Sequence, residues 1–527
     1  MLISIISIIY FVIELYIAQH TYGRHPRNFT ILMISLPVLF FSCGRVGSLL
    51  LNTIFLVILL IDGYVTYTCK LVVDSTLDAI IGTNPHEAAS MLGMVHWPAY
   101  IVAFLLFCGV ATLSWRLGRW NGRMIMIALI PLLLSGFHDI WKVYSNIKPF
   151  MTTTWSDRGY REWMASILRN NAPGVMGDIA YIGVIISEQT GIADRRYRVI
   201  PHTMTDPQVI GRHAGRVHNI IFVMGESSLA THYSVYGYKE QDTTPNLQNM
   251  TTTKQLCTLS NVHSNANMTR NSVPMTFSFQ TPENRGALVD EKNIIEMAHD
   301  NGYKTFWISS QEGTGVYARP FGYLSEYSDY TTRSDYNNQT SGVNWTDESL
   351  IPALADKLQD PAEYKLYVIH IMGSHGRYED KIIRSDVEAL PNADAYDQSI
   401  HHTDSLLQRI MAMAAADLGD YTLLYTSDHG EVVGVGHALQ YGGYDQYIVP
   451  MIIHDSNGRG TYCDMAEHMR NQDGYYTSIM NKYLLLNMLG YDIDPAAIKS
   501  VQSTDHILHS DAKIYDYSKL PTAQHPH

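Results

Sequence analysis

Cysteine is scarce, with five residues in a chain of 527. Cys43, Cys69 and Cys108 lie in or beside long apolar runs, so no disulfide framework holds this fold together. Cys257 and Cys463 leave room for one bridge, which spacing alone does not decide. Basic side chains are short as well: 37 lysines and arginines stand against 50 aspartates and glutamates, a formal net charge of −13. That balance, with no long basic patch, opposes nucleic-acid binding. The chain has no internal repeat and no low-complexity segment. Its first apolar run lacks both a basic start and a small-residue cleavage site, so it does not read as a cleaved signal peptide.

Hydrophobicity is plentiful and unevenly spread. Residues 1–141 hold the runs "LISIISIIYFVIELYIA", "FTILMISLPVLFFSC", "VGSLLLNTIFLVILLIDGYV", "WPAYIVAFLLFCGVATLSW" and "MIMIALIPLLLSGF". Each approaches the roughly 20 residues that cross a bilayer, the second and fifth being short. They read as a bundle of five transmembrane helices. Arg116, Arg119 and Arg123 crowd the fourth loop, whereas the third carries Lys70 against Asp74, Asp78 and Glu87. The fourth loop is therefore cytoplasmic, which puts the rest of the chain after about residue 142 outside. Arg24 and Arg27 in the first loop run against this orientation.

Residues 142–215 read as a juxtamembrane linker with interfacial helices. It contains Trp155, Trp163 and the run "APGVMGDIAYIGVIISEQ", which Asp178 interrupts; an interfacial helix fits better than a sixth span. From 216 to 505 the pattern changes. "HNIIFVMGES", "YKTFWISS", "YKLYVIHIMGSHG", "YTLLYTSDHG" and "YIVPMIIHD" read as strands, with "DEKNIIEMAHDNG" and "SIHHTDSLLQRIMAMAAADLG" as helices between them. This alternation predicts an α/β domain with a mainly parallel sheet. Residues 506–527 read as a C-terminal tail.

Several predicted strands end in groups that bind metals or move protons: Glu226; His370 and His375; Asp428 and His429. His437 follows in "GVGHALQ". Singly, each has a plain reading, as a helix-start carboxylate, a buried histidine bonded to backbone or a loop residue. Carboxylate and neutral imidazole recurring at strand ends, where open α/β sheets bind ligands, point to a divalent metal. The stretch "SNANMTRNSVP" sets Thr269 beside Asn267 and Arg270, ahead of a predicted helix. A threonine there usually caps the helix. Coordinated to a metal, its hydroxyl would become a nucleophile, and the free backbone N–H groups would favour a phosphate. Spacing alone does not separate the two.

"VMGESS", "MTRNSVP", "IMGSHG" and "TSDHGE", in that order behind the apolar runs, resemble the phosphoethanolamine transferases of Gram-negative envelopes, within the alkaline phosphatase and sulfatase superfamily. "IIGTNPHEAASML" is similar to that family's "TNxxEA" segment. The resemblance implies an inner-membrane, multi-pass enzyme with a sulfatase-like catalytic domain in the periplasm. It would use phosphatidylethanolamine as donor and lipopolysaccharide core, lipid A or another envelope glycan as acceptor. Thr269 would carry the group as a phosphothreonine, sharing a tightly bound zinc ion with Glu226, Asp428 and His429. His370, His375 and His437 would hold a second metal or the substrate phosphate. Asn84, Glu87 and Arg270 would contact substrate. In place of the Cys-Lys-Gly-Val-Cys segment of lipid A-modifying members, this chain has "SQEGTGVYARP"; "FWISSQ" and "DHGEVVGVGHA" look more like the branch acting on the heptose core. A sulfatase would need a cysteine or serine in a C/S-x-P-x-R context, and Cys257 in "LCTLSN" lacks it. A phosphoglycerol transferase of the same superfamily is the enzymatic alternative. A membrane-anchored metal-binding protein is the other, and for it Thr269 would be dispensable.

Overall fold

A computed structural model of the chain describes residues 29–69, 97–131 and 133, a few positions between 6 and 16, and residues 205–520 except 312–318, 333–334, 336–345, 440–442 and 511–512. The chain divides into two compact units, Met1–Arg198 and Val199–His527. In the first, α1 (Phe29–Ser42), α2 (Gly44–Cys69) and α3 (Trp97–Leu117) fall on the second to fourth apolar runs. Among the described residues two helices are long and apolar enough to cross a membrane, Gly44–Ile61 and Trp97–Leu117. Helix α1 has only 14 residues, with Pro37 inside it. Of the fifth run, the short apolar helix Gly122–Pro131 is described. The expected five-helix bundle therefore extends beyond the described residues, as do Asn84 and Glu87.

The packing of α2 is inside out. Leu50 and Ile54 are 56% and 55% exposed, while Ser48 and Asn52 are fully buried. Asn52 Nδ2 donates to the Ser48 carbonyl at 2.9 Å, and the Tyr10 hydroxyl donates to Asn52 Oδ1 at 3.3 Å. Water would select the opposite arrangement. Hydrocarbon solvent favours apolar side chains outside and polar ones bonded between helices, and this unit is built for a membrane.

The second unit begins with β1 (Val209–Arg212) and continues through β2 (Asn219–Gly225), β3 (Cys257–Thr258), β4 (Val262–His263), β5 (Lys304–Ser309), β6 (Asp329–Thr331), β7 (Lys365–His370), β8 (Thr422–Ser427), β9 (Met451–Asp455) and β10 (Tyr476–Thr477). Seven of these strands form one sheet in the order β3-β9-β8-β2-β7-β5-β6. Strands β8, β2, β7, β5 and β6 run parallel; β9 joins β8, and β3 joins β9, antiparallel. The sheet is mixed with a parallel centre. Its middle strand, "NIIFVMG", is buried throughout, because helices cover both faces of a parallel sheet. Each fully buried Ile, Val or Phe there contributes roughly 1.5–3 kcal/mol.

Two helices matter most for the site. Helix α4 (Thr269–Phe277) lies on one face of the sheet, where Phe277 meets Phe222 and Trp307 edge-on or tilted. Helix α5 (Ala395–Asp417) covers the other with the stripe Leu406, Leu407, Ile410 and Ala414, packed against Ile221, Val223, Tyr367 and Leu423. That three-and-four spacing is the helical period. Asp394 caps its start by accepting from the Asp397 N–H.

Two boundaries differ from the sequence reading. Strand β1 pairs with β11 (Tyr491–Ile493), so the α/β unit takes in residues ahead of 216. From 506 the chain does not run off as a tail: β12 (His506–Leu508) pairs with β13 (Ile514–Asp516), and Tyr517 stacks on His263 at 3.8 Å. Alternation too short for a periodic signal, and burial supplied by distant partners, hid both. Cys257 and Cys463 are bridged across a separation of 206 residues.

Candidate active site

The carboxyl ends of β2, β7, β8 and β5 lead into Glu226, His370, Asp428 and Gln311. Glu226 follows directly on β2, and the backbone then turns sharply, because Ser227 has φ +54°. This left-handed turn is held from several sides. Ser227 N–H donates to Asp428 Oδ1 at 3.2 Å. The buried Tyr396 hydroxyl, at the start of α5, donates to the Ser227 carbonyl at 2.9 Å and accepts from Leu229 N–H at 2.8 Å. On the other side Gly373, with φ +48°, lies so close that a Cβ would stand 2.7 Å from the Glu226 carbonyl oxygen. Asp347 fixes that glycine turn by accepting from Met372 and Gly373 N–H, both at 2.9 Å.

Thr269 is the first residue of α4, not its cap; Met268 holds the cap position and makes no side-chain capping bond. Its hydroxyl is thus directed elsewhere. It donates to Glu226 Oε2 at 3.0 Å and lies 3.4 Å from His429 Nε2. The preceding loop is fastened to the turn that carries Asp428 and to Gln446, since Ser264 Oγ donates to the Asp428 carbonyl at 2.5 Å and Asn267 Nδ2 to Gln446 Oε1 at 3.0 Å. Arg270 follows in the same helix and is half-buried.

Around Thr269 the acceptors outnumber the donors. His429 Nδ1 must donate to the Gly430 carbonyl, 2.8 Å away. In the neutral ring Nε2 therefore presents a lone pair, yet it faces Glu226 Oε1 at 3.2 Å and Asp428 Oδ2 at 3.3 Å. Asp428 Oδ2 is buried without a hydrogen-bond partner among the described residues. Acceptors facing acceptors out of water need a cation between them. Protons fill that need in the bare protein. Burial, then the Glu226 charge, pushes Asp428 up to about 8. Burial works against a charged His429, but the Asp428 and Glu226 charges outweigh it and carry its pKa up to about 10. Burial alone would raise Glu226; the His429 charge and hydrogen bond hold it well below the carboxylate range instead. A divalent ion does the same work better, and two carboxylates, an imidazole and a hydroxyl fit zinc.

His437 lies inside this group. Its ring centre is 4.1 Å from that of His429, and ligand atoms of Glu226, His429 and His437 all fall within 4.8 Å of one another. Its Nδ1 bonds Glu431 Oε2 at 2.8 Å, with Ser227 Oγ at 3.3 Å. His375 is next, 5.5 Å from His437 between ring centres, and burial lowers its pKa to about 3. Both sides of the group are therefore continuous. His370 lies edge-on to Phe321 at 5.0 Å, with Nδ1 3.5 Å from Ser309 Oγ. Burial lowers its pKa to about 4, and its Nε2 has no hydrogen-bond partner among the described residues.

Four contributors escape the sequence reading. Gln311 Nε2 donates to Glu226 Oε2 at 3.0 Å. Ser227 Oγ donates to Glu226 Oε1 at 2.8 Å. Glu431 orients His437 and accepts from the Tyr378 hydroxyl at 2.9 Å. Tyr396 clasps the turn. Glu431 and Gln311 stand in the quoted stretches "TSDHGE" and "FWISSQ"; Tyr396 has no local signal at all.

The sulfatase family profile matches residues 218–484. The chain is similar to the YhbX protein of Escherichia coli, at 25% identity over 84% of this chain and 79% of that protein. It is also similar to phosphoethanolamine transferase EptC of Escherichia coli, at 27% identity over 41% of this chain and 40% of that protein. Among solved structures, the integral membrane lipooligosaccharide phosphoethanolamine transferase A from Neisseria meningitidis shares the fold. It has a TM-score of 0.57 at 16% identity, covering 93% of this chain and 95% of that one. The zinc complex of the EptC periplasmic domain from Escherichia coli gives 0.50 at 21%, over 60% and 98%.

Proposed function

The chain belongs to the sulfatase family, and from that premise we propose that it is a membrane-bound transferase. It moves phosphoethanolamine from phosphatidylethanolamine to an envelope glycan or glycolipid, through a phosphothreonine at Thr269. One observation carries the reading: a buried threonine hydroxyl, at a helix start but not capping it, points into a group of metal-binding side chains. The family resemblance and the phosphoethanolamine transferases among its relatives support the group transferred. A heptose-core or lipid A acceptor rests on the motif comparison alone.

Zinc, held by Glu226, Asp428, His429 and the Thr269 oxygen, would lower the hydroxyl pKa and offset charge on the phosphoryl group. Glu226 Oε2 receives the hydroxyl hydrogen. Thr269 Oγ1 then forms a bond to the donor phosphorus as the bond from phosphorus to the diacylglycerol oxygen breaks, and that oxygen takes a proton from water and leaves as the alcohol. The backbone N–H groups at the start of α4 face the phosphoryl oxygens. His375, kept neutral by burial, and His437 would bind the phosphate or a second metal beside it. In the second step an acceptor hydroxyl or phosphate displaces Thr269 and restores it. Asn84, Glu87 and Arg270 are proposed substrate contacts.

The catalytic unit is placed outside the inner membrane, in the periplasm. The loop arginines support this, and so does the Cys257–Cys463 bridge, which belongs in an oxidising compartment. Intact-mass analysis of protein made in cells rich in phosphatidylethanolamine should show one phosphoethanolamine on the peptide containing Thr269. Thr269→Ala should lower transfer by more than about 10³-fold while the thermal melt stays in place, and Thr269→Ser should keep part of the activity. A phosphoglycerol adduct would favour the rival transferase. Undiminished transfer by Thr269→Ala would remove the covalent mechanism.

A further inference from the structure

Glu226 is served differently at its two oxygens. Oε1 accepts from Ser227 Oγ at 2.8 Å and lies 3.2 Å from His429 Nε2, on the metal side. Oε2 accepts from Thr269 Oγ1 and from Gln311 Nε2, both at 3.0 Å. The carboxylate can keep these roles apart only if its plane does not turn, and the last torsion of a glutamate side chain is soft. Gln311 supplies the stop. Its backbone N–H bonds Ser309 Oγ at 2.9 Å, and its Nε2 also donates to the Ile371 carbonyl at 3.1 Å. Both amide hydrogens are thus engaged, one on the end of β7 and one on Glu226, in a brace between the β5 and β7 strand ends.

We propose that Gln311 is a positioning residue: its amide holds Glu226 with one oxygen on the metal side and the other on the Thr269 hydroxyl. Without the brace Glu226 turns, the divided arrangement is lost, and Thr269 no longer has a fixed acceptor. A side chain acting in this way affects metal holding and the chemical step, not the donor's binding. The proposal rests on the transferase reading for its kinetic part and stands apart from it for its metal part.

The test uses the full chain in detergent and Gln311→Met, which removes the amide at nearly constant volume. Zinc affinity is measured by competition with a chromogenic chelator, and kcat and KM with a phosphatidylethanolamine donor. Zinc binding should weaken by about tenfold and kcat should fall by about 10–100-fold, the range for groups that orient metal ligands. KM should stay within about twofold, and the thermal melt should be unchanged. Gln311→Glu, equal in length but unable to donate when ionised, should lose at least as much kcat as the methionine variant. Zinc affinity unchanged in Gln311→Met would overturn the proposal, as would a change confined to KM. If the wild-type chain transferred no phosphoethanolamine, the zinc comparison would still decide the matter.

Discussion

Under the proposed zinc site, protons and metal would compete for the same atoms at Asp428 and His429. Both groups are raised in the bare protein, Asp428 by burial and the neighbouring Glu226 charge, His429 by its two carboxylates against its own burial. A cation must displace those protons, so zinc affinity should rise as pH goes from 6 to 9. Asp428→Asn removes one titrating ligand at constant size. It should weaken zinc binding by at least about 100-fold and flatten the pH dependence. Chelator competition at several pH values measures both; equal affinity at pH 6 and pH 9 would contradict the proton displacement. At this scale the choice of residue types was readable in advance, since carboxylate and imidazole ligands are named by their chemistry wherever they stand.

Turns and helix starts set the tolerances of the site. Gly373 is the sharpest case: alanine there meets a left-handed φ and a Cβ only 2.7 Å from the Glu226 carbonyl oxygen. Gly373→Ala should destabilise the catalytic unit by about 1–3 kcal/mol and displace Glu226, lowering zinc affinity along with activity. Urea titration and chelator competition would show both, and a variant that kept wild-type affinity would place the turn's strain elsewhere. Helix α5 depends on a different contact. Asp386, fully buried, accepts from His401 Nδ1 at 2.9 Å and His402 Nδ1 at 3.0 Å. Burial opposes both charges, yet the hydrogen bonds from His401 and His402 hold the Asp386 carboxyl below its usual range, and the Asp386 bond raises His402. The lowered acid contributes stability above its unfolded pKa; the raised histidine contributes it below its own and loses it as pH climbs through the folded value. The pair is therefore strongest in mildly acidic solution. Asp386→Asn should cost about 3 kcal/mol near pH 5.5, as for a broken buried pair, and clearly less near pH 9. An equal cost at both values would mean that His402 stays neutral throughout.

As a whole, the catalytic unit begins earlier than its motifs do. Val209 and Arg212 pair with Ile493 and Tyr491, the Arg212 guanidinium sits 4.9 Å over the Tyr491 ring, and the Tyr483 hydroxyl donates to Gln208 Oε1 at 2.7 Å. A fragment starting at residue 205 should fold, and one starting at 216 should be less stable by about 2–3 kcal/mol. Paired thermal melts would decide it, and identical melts would make the first strand an ornament. Whatever is local can be read along the chain. Run length and hydropathy mark the membrane part, and alternating apolar strands and amphipathic helices mark the α/β unit. The strand-end motifs mark Glu226, Asp428 and His429, and "MTRNSVP" marks Thr269. Contacts between distant segments settle the rest: that His437 joins His429 while His370 packs against Phe321, that Cys257 reaches Cys463, and that Gln311 and Tyr396 brace Glu226 and the turn after it. Those outcomes depend on which strand ends become neighbours when β2 takes its place between β7 and β8. That order is fixed by burial across the whole sheet, and no spacing along the chain encodes it.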